Sequence, residues 1–498
     1  MKKTYLTLLL LLSAVISFAQ SVTGKIVNQK DEPIPYATIQ IGDHYGVVSN
    51  TEGYFTIKTK NQPEDAQVQI SFMGYKTLEI PLADFVDDTY ILEEDVNELD
   101  EVLVTNKQLT PEEIITNMLE KAPENYEQKN FQQTFFVRNN SKEKIIDFDF
   151  EIDKATDESK KDLRKLNEEI EAFSEKMKGQ KFQYFTEYYG SYARLNDSSK
   201  VNVDKFVYLK DEDEDISQDK IIKKVVNIFK EHLDKDASYK FKLGMFKVED
   251  SLTRDEIFDE ETDSTKGKSK YVKNSIFYKN LHYNNFYNDD DLDFFNKMKR
   301  YQYQLDGYTN IDGESVYIIS FSPDRGSASF YGKMYINVFD YGLMRLDYTM
   351  MEGEKLHNIN LKLLGFKVQQ DRIKVTSIYK KKENGKYSIK FGKRQSGTYA
   401  YVSLPAFKFI KNRVDRDDDR QKLKLDMMIE QDNLSTTEFY VINEGEIDQT
   451  NYDTLVDQED YEYLELETYD PTVWADYNVL APIDDIKNYG KDNTATSF

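Results

Sequence analysis

Val22-Thr-Gly-Lys-Ile-Val27, Ala37-Thr-Ile-Gln-Ile41, Tyr54-Phe-Thr-Ile57 and Val68-Gln-Ile-Ser-Phe72 are short β-rich runs separated by turn residues. This is the spacing of a β-sandwich. Period-two alternation puts Ile39 and Ile41 on one face of their strand and Thr38 and Gln40 on the other. Asn50-Thr-Glu-Gly53 supplies the glycine that a tight turn before a strand commonly needs, and Pro33 and Pro35 mark an irregular entry or an edge.

Ahead of these strands, Lys2 and Lys3 precede the apolar run Leu8 to Ile16, which closes on Ser17-Phe-Ala19. The pattern reads as a signal peptide over residues 1–19 with cleavage before Gln20, the apolar run being too short to span a bilayer. The chain has no cysteine, which excludes N-terminal lipid anchoring, disulfides and thiolate chemistry. No later stretch approaches the roughly 20 apolar residues of a membrane helix. The expected location is the periplasm or the outer-membrane periphery. A formal charge of -24 argues against nucleic-acid binding and disfavours anionic membrane surfaces, and it suits a protein kept soluble by acidity.

Gly24, Pro33-Ile-Pro35, Ala37-Thr38, Gly46-Val47, Asn50, Glu52-Gly-Tyr-Phe55 and Phe72-Met-Gly-Tyr75 occur in the order and spacing of the carboxypeptidase-regulatory-like domain, which residues 20–105 resemble. The resemblance implies a non-catalytic β-sandwich. Leu99-Asp-Glu-Val-Leu-Val-Thr105 resembles the motif that follows this domain in TonB-dependent outer-membrane receptors, and makes Glu101, Val102, Leu103 and Val104 candidates for docking a partner. The plug and barrel of those receptors do not follow it.

Residues 106–487 are expected to form an α+β domain with helical insertions and an antiparallel, half-barrel-like sheet, and residues 488–498 a flexible tail. Thr110-Pro-Glu-Glu113 carries the N-cap, the first-turn proline and the capping-box glutamate of a helix that should turn Ile114, Ile115, Met118 and Leu119 inward. Phe131 to Arg138 reads as a long strand. Leu163, Leu166, Ile170, Phe173 and Met177 make a narrow apolar seam on a charged helix, expected to pack within the chain. A second helix is expected from Ser217 to Leu233.

From Tyr301 the pattern becomes a meander: Tyr301 to Leu305, Val316 to Phe321, Phe330 to Phe339 and Leu343 to Met350, followed by Lys374 to Lys382 and Tyr387 to Phe391. Ile318 to Pro323, Phe330 to Asn337 and Asp340 to Arg345 are similar to the central hairpins of LolA-like and LolB-like half-barrels, which curl around an apolar groove holding acyl chains. Alternation places Phe330, Met334, Ile336 and Val338 on one face, and these are the candidate ligand-binding residues. The competing reading is that they pack under a helix. Pro471-Thr-Val-Trp474 resembles a closing segment whose lone tryptophan docks on the sheet.

Catalytic signatures fail. None of His44, His232, His282 and His357 has the glutamate spacing of a zinc carboxypeptidase, and the acidic runs Asp211–Asp215 and Asp415–Asp419 do not fit a calcium loop. Neither a nucleophile elbow nor a phosphate-cradling glycine loop occurs. The sequence therefore predicts a mainly β, non-enzymatic envelope protein without metal or cofactor that binds an apolar ligand, such as a lipid or lipoprotein, or a partner protein. The alternative is a structural accessory of an outer-membrane assembly with no small ligand.

Overall fold

The computed structural model describes residues 21–42, 45–60, 62–63, 65–95, 109–126, 129–156, 159–210, 237–243, 246–253, 266–311, 313–324, 326, 328–412 and 422–490. The expected signal peptide, Glu101 to Val104, the expected helix from Ser217 to Leu233 and both acidic runs lie outside the described residues.

The N-terminal part is built from two small sheets. One contains β1 (Ser21–Asn28) flanked by β4 (Tyr54–Lys58) and β7 (Thr89–Leu92); the other runs β3 (Tyr45–Val48), β2 (Thr38–Ile41), β5 (Gln67–Ser71) and β6 (Leu78–Pro81). Alternation fixes the facing as expected, because Ile39 and Ile41 are buried and Thr38 and Gln40 are not. Ile26, Ile39, Phe55, Ile57, Val68 and Ile70 are fully buried between the sheets. The Asn50 side-chain oxygen accepts from the Glu52 and Tyr54 amides and shapes the turn into β4. Gly53 completes that turn at φ +80°, where a Cβ would lie 2.5 Å from the Ile26 carbonyl oxygen.

Helix α1 (Pro111–Asn125) opens with the full capping box: the Thr110 hydroxyl accepts from the Glu113 amide at 3.2 Å, and Glu113 accepts from the Thr110 amide at 2.9 Å. Ile114, Ile115 and Met118 are buried and Leu119 is half-buried, on the face the sequence assigns to the core.

The second part is one 14-stranded, predominantly antiparallel sheet. Its strands are β8 (Asn130–Ala155), β9 (Lys181–Leu195), β10 (Ser198–Leu209), β14 (Tyr301–Ile311), β15 (Glu314–Pro323), β16 (Phe330–Asn337), β17 (Leu343–Met350), β19 (Phe366–Lys381), β20 (Tyr387–Lys411), β21 (Lys422–Glu446) and β23 (Leu464–Leu466), with β11 (Ser238–Leu243), β12 (Phe246–Thr253) and β18 (Leu356–Leu361) attached at the side. A separate short pair joins β13 (Lys266–Lys268) to β22 (Asp460–Glu462). The path runs β14-β15-β16-β17-β19-β20-β21-β8-β9-β10-β23 and does not close into a barrel. The first long strand, β8, therefore lies between β9 and the last long strand, β21. At about 3.3 Å per residue the 26 residues of β8 span roughly 85 Å, so the far halves of the long strands extend past the main core.

There they need cover of their own. Helix α2 (Lys160–Met177), capped by Ser159, lays Ile170 and Met177 on Phe148, Phe150 and Ile152, with Leu163, Leu166 and Phe173 partly buried beside them. The apolar seam thus packs within the chain.

The closing segment locks the two parts together. Trp474 packs edge-on against Phe136 and donates its indole N–H to Glu187 at 2.5 Å. Arg138 donates to Glu187 (2.6 Å), to Glu438 (3.4 Å) and to the Leu480 and Ala481 carbonyls (2.8 and 3.1 Å). From the sandwich, Asn50 donates to the Pro482 carbonyl, and Tyr36 stacks on Phe391. Tyr489, placed by the sequence in the flexible tail, packs edge-on against Phe185 and donates to the Gln183 carbonyl.

Candidate functional site

Helix α3 (Ser269–Asn284) lies across one face of the sheet. Its sequence carries no apolar stripe: Val272, Ile276 and Tyr283 are buried, whereas Tyr271, Tyr278 and Leu281 are exposed. Contacts with the sheet position it instead. A Cβ on Gly392 would meet the Tyr283 ring at 2.4 Å, so the glycine on β20 lets the helix end approach closely. The Tyr379 hydroxyl donates to the Tyr283 carbonyl, and the Ile389 amide donates to the Asn284 side chain. Beyond α3 the short helix α4 (Asp293–Asn296) drives Phe294 against Phe321, Phe330 and Tyr348.

A cavity of about 460 Å³ remains between α3 and the sheet. That volume lies within the roughly 300–1,000 Å³ of small-molecule sites. Phe330, Tyr348, Ile373, Leu292 and Leu356 supply apolar surface, and Lys279, His282, Asp289, Asp291 and Arg394 supply charge. The acidic groups are already engaged: His282 Nδ1 lies 3.2 Å from Asp289, and His357 Nε2 lies 3.0 Å from Asp291. Burial pushes the Asp289 carboxyl up, but the His282 hydrogen bond, the Asp291 amide and nearby Arg394 outweigh it and hold the group below its usual range. The Tyr283 and Tyr348 phenols are pushed well up by burial and stay protonated. Ser275 Oγ receives Lys279 Nζ at 2.7 Å and lies 3.3 Å from the Tyr188 hydroxyl. The lining therefore offers hydrogen-bond donors and two cations over an apolar floor. Among the described residues no group of three or more His, Asp or Glu is disposed to hold a metal ion.

The four groove residues read from the sequence divide. Phe330 lines the cavity. Met334, Ile336 and Val338 are sealed in the main core, at 0, 0 and 6 % exposure. Met334 stands opposite Ile319 and Leu346, and Ile336 opposite Tyr317 and Leu343. Arg394, Lys279 and Tyr348 escaped the sequence reading as site residues, and His282 entered it only as a rejected zinc ligand. They come from β20, α3 and β17, and no local motif links them.

A larger cleft, about 1280 Å³, opens at the strand ends near Lys129, Lys382, Lys390 and Glu444. Lys382 pairs with Glu444 at 2.8 Å, and Lys390, whose ammonium pKa is pushed down by burial to about 7, donates to the Ile442 carbonyl and lies over the Tyr440 ring.

Residues 22–104 match the family model described as the CarboxypepD_reg-like domain, which assigns the N-terminal sandwich and leaves the larger sheet unassigned. No curated protein matches the chain. Among solved structures, it is similar to a LolA superfamily protein from Nitrosomonas europaea (10% identity, 67% of this chain and 94% of that one, TM-score 0.17). It is also similar to a DUF1329 family protein from Desulfovibrio piger (11% identity, 68% and 96%, TM-score 0.16). A putative membrane-associated protein of unknown function from Bacteroides fragilis aligns over 84% of this chain and 98% of its own, at 8% identity and TM-score 0.12. Scores this low carry no argument about function.

Proposed function

We propose that this is an exported, non-catalytic envelope protein that binds an anionic amphiphile in the cavity beneath α3. The observation that carries the reading is that the largely buried Phe330, Tyr348 and Ile373 and the cations Arg394 and Lys279 line one half-open cavity. A carboxylate or phosphate head would meet the cations, while the first part of an alkyl chain would meet the floor, each buried methylene contributing about 0.8 kcal/mol. Asp289 and Asp291 also line this cavity, within 3.2 Å of His282 and 3.0 Å of His357 respectively. The protonated phenols and the engaged Ser275 supply neither a general base nor an activated nucleophile.

The test is equilibrium titration of the purified chain with dansyl-labelled undecanoic acid, followed by fluorescence. Saturable one-to-one binding is expected, weakened about ten- to a hundred-fold in Arg394→Gln, the worth of one charge-assisted hydrogen bond. Competition by dodecyl phosphate but not by dodecanol would support the anionic head. Absence of saturable binding, or unchanged affinity in Arg394→Gln, would refute the reading. The scaffold reading would then stand, favoured by the buried Arg138 network that fastens the closing segment to the sheet.

A further inference from the structure

We infer that the β18–β19 hairpin tip docks this protein on an anionic lipid surface. The turn, Leu361-Lys-Leu-Leu-Gly-Phe-Lys367, exposes apolar side chains that a folded protein ordinarily covers: Leu363 is 103% and Leu364 70% exposed, and Leu361 and Phe366 follow at 49% and 38%. It is a fixed turn. Gly365 adopts φ +86°, its amide donates to the Lys362 carbonyl at 3.0 Å, and its carbonyl accepts from the Ser403 amide at 2.7 Å. A side chain at Gly365 would strike the Ser403 carbonyl oxygen.

Behind the tip the apolar surface continues across the sheet. Leu361, Phe366, Val402, Ile429 and Phe148 stand directly opposite one another on β18, β19, β20, β21 and β8, forming one cross-strand row. Helix α2 covers the Phe148 end, where Phe173 packs edge-on. Burial then declines along the row through half-buried Ile429 and Val402 to exposed Phe366 and Leu361. The row thus joins a packed core to a bare apolar tip.

The charge around the tip selects the occupant. In a chain of net charge -24, residues Lys355 to Gln370 contain three lysines and neither Asp nor Glu. Lys362 Nζ lies 4.5 Å from the centre of the Tyr401 ring, and Lys367 Nζ 4.6 Å from that of Tyr399. Leucines at the apex with lysine and tyrosine behind them match the layering of a bilayer surface: acyl chains, then headgroups where amphipathic rings settle, then anionic phosphate. On the neighbouring β21, Glu430 accepts from the Tyr399 hydroxyl and Asp432 pairs with Arg372. The acidity of the whole chain disfavours an anionic surface, but within a Debye length the local basic tip governs contact. A second copy of this acidic chain would meet like charge instead.

The experiment is co-sedimentation of the purified full chain with vesicles of phosphatidylglycerol and phosphatidylethanolamine, compared with phosphatidylcholine vesicles. The wild type is expected to sediment with the anionic vesicles and to be released by high salt. Lys362→Gln/Lys367→Gln should weaken partitioning about thirty-fold, and Leu363→Asp/Leu364→Asp at least about a hundred-fold. All four positions lie on the hairpin surface, and an unchanged thermal midpoint would show that the variants fold. Equal partitioning of wild type and the leucine variant, equal binding to phosphatidylcholine, or no binding at all would overturn the inference. So would a wild-type dimer in light scattering that the leucine variant abolishes. Arg394→Gln should sediment like wild type, which separates this surface from the cavity beneath α3.

Discussion

Replacing Arg138 with methionine should cost more stability than any surface charge. Its guanidinium and the carboxylates of Glu187 and Glu438 are 3, 1 and 5% exposed, so water cannot take over when the cation is removed. Breaking a buried pair while leaving its partners in place costs about 3–5 kcal/mol, and the Leu480 and Ala481 carbonyls lose their donors as well. Glu187 keeps only the Trp474 indole of its described partners, and Glu438 keeps Lys393 at 3.4 Å. A total of about 4–6 kcal/mol corresponds to a fall in Tm on the order of 10 °C for a domain this large. Urea unfolding followed by Trp474 fluorescence measures it, since the only tryptophan sits in the network. Adding Glu187→Gln and Glu438→Gln to Arg138→Met should recover more than half of the loss. A loss below about 1 kcal/mol, or a triple variant no better than the single one, would refute the view that this network holds the closing segment to the sheet.

Two further perturbations test the turn and the site. Gly53→Val combines a positive φ with a Cβ 2.5 Å from the Ile26 carbonyl and should cost about 3 kcal/mol; Gly42→Val, at φ +62° with nothing within 4 Å, should cost about 1, and thermal melts that reverse this order would contradict the account of the turn. The lowered pKa of Asp289 makes its contribution fully present above the usual aspartate value of about 4 and lost as pH falls through the lowered value, so Asp289→Asn should cost about 1 kcal/mol near pH 6 and progressively less as pH falls below about 4 in urea titrations; a deficit that does not shrink in acid would sink the assignment.

Sequence alone specified the features whose causes are local. The alternation of Ile39 and Ile41 with Thr38 and Gln40 oriented the sandwich strand, and Thr110 with Glu113 wrote the start of α1. The seam on α2 was legible because it needs only a periodic stripe, whereas the docking of Trp474 was implied by the resemblance of its segment to a closing segment. The same logic put Phe330, Met334, Ile336 and Val338 on one face, but period two says which side chains share a face and nothing about what covers it. Packing decided that: three are sealed and one reaches a cavity. The pairing of β8 with β21 was equally hidden, since Arg138 faces Glu438 across 300 residues of chain and the register of distant strands is set by the whole sheet. The long reach of β20 and β21 followed from that pairing, because ladder hydrogen bonds and the cover of α2 keep polar and half-apolar stretches extended. Net charge behaved likewise. The total of -24 is additive and readable from the sequence, whereas the position of Lys362 and Lys367 beside exposed leucines depends on one turn at Gly365 and on the strands that hold it, because electrostatic and apolar contact act over ångströms and not over composition.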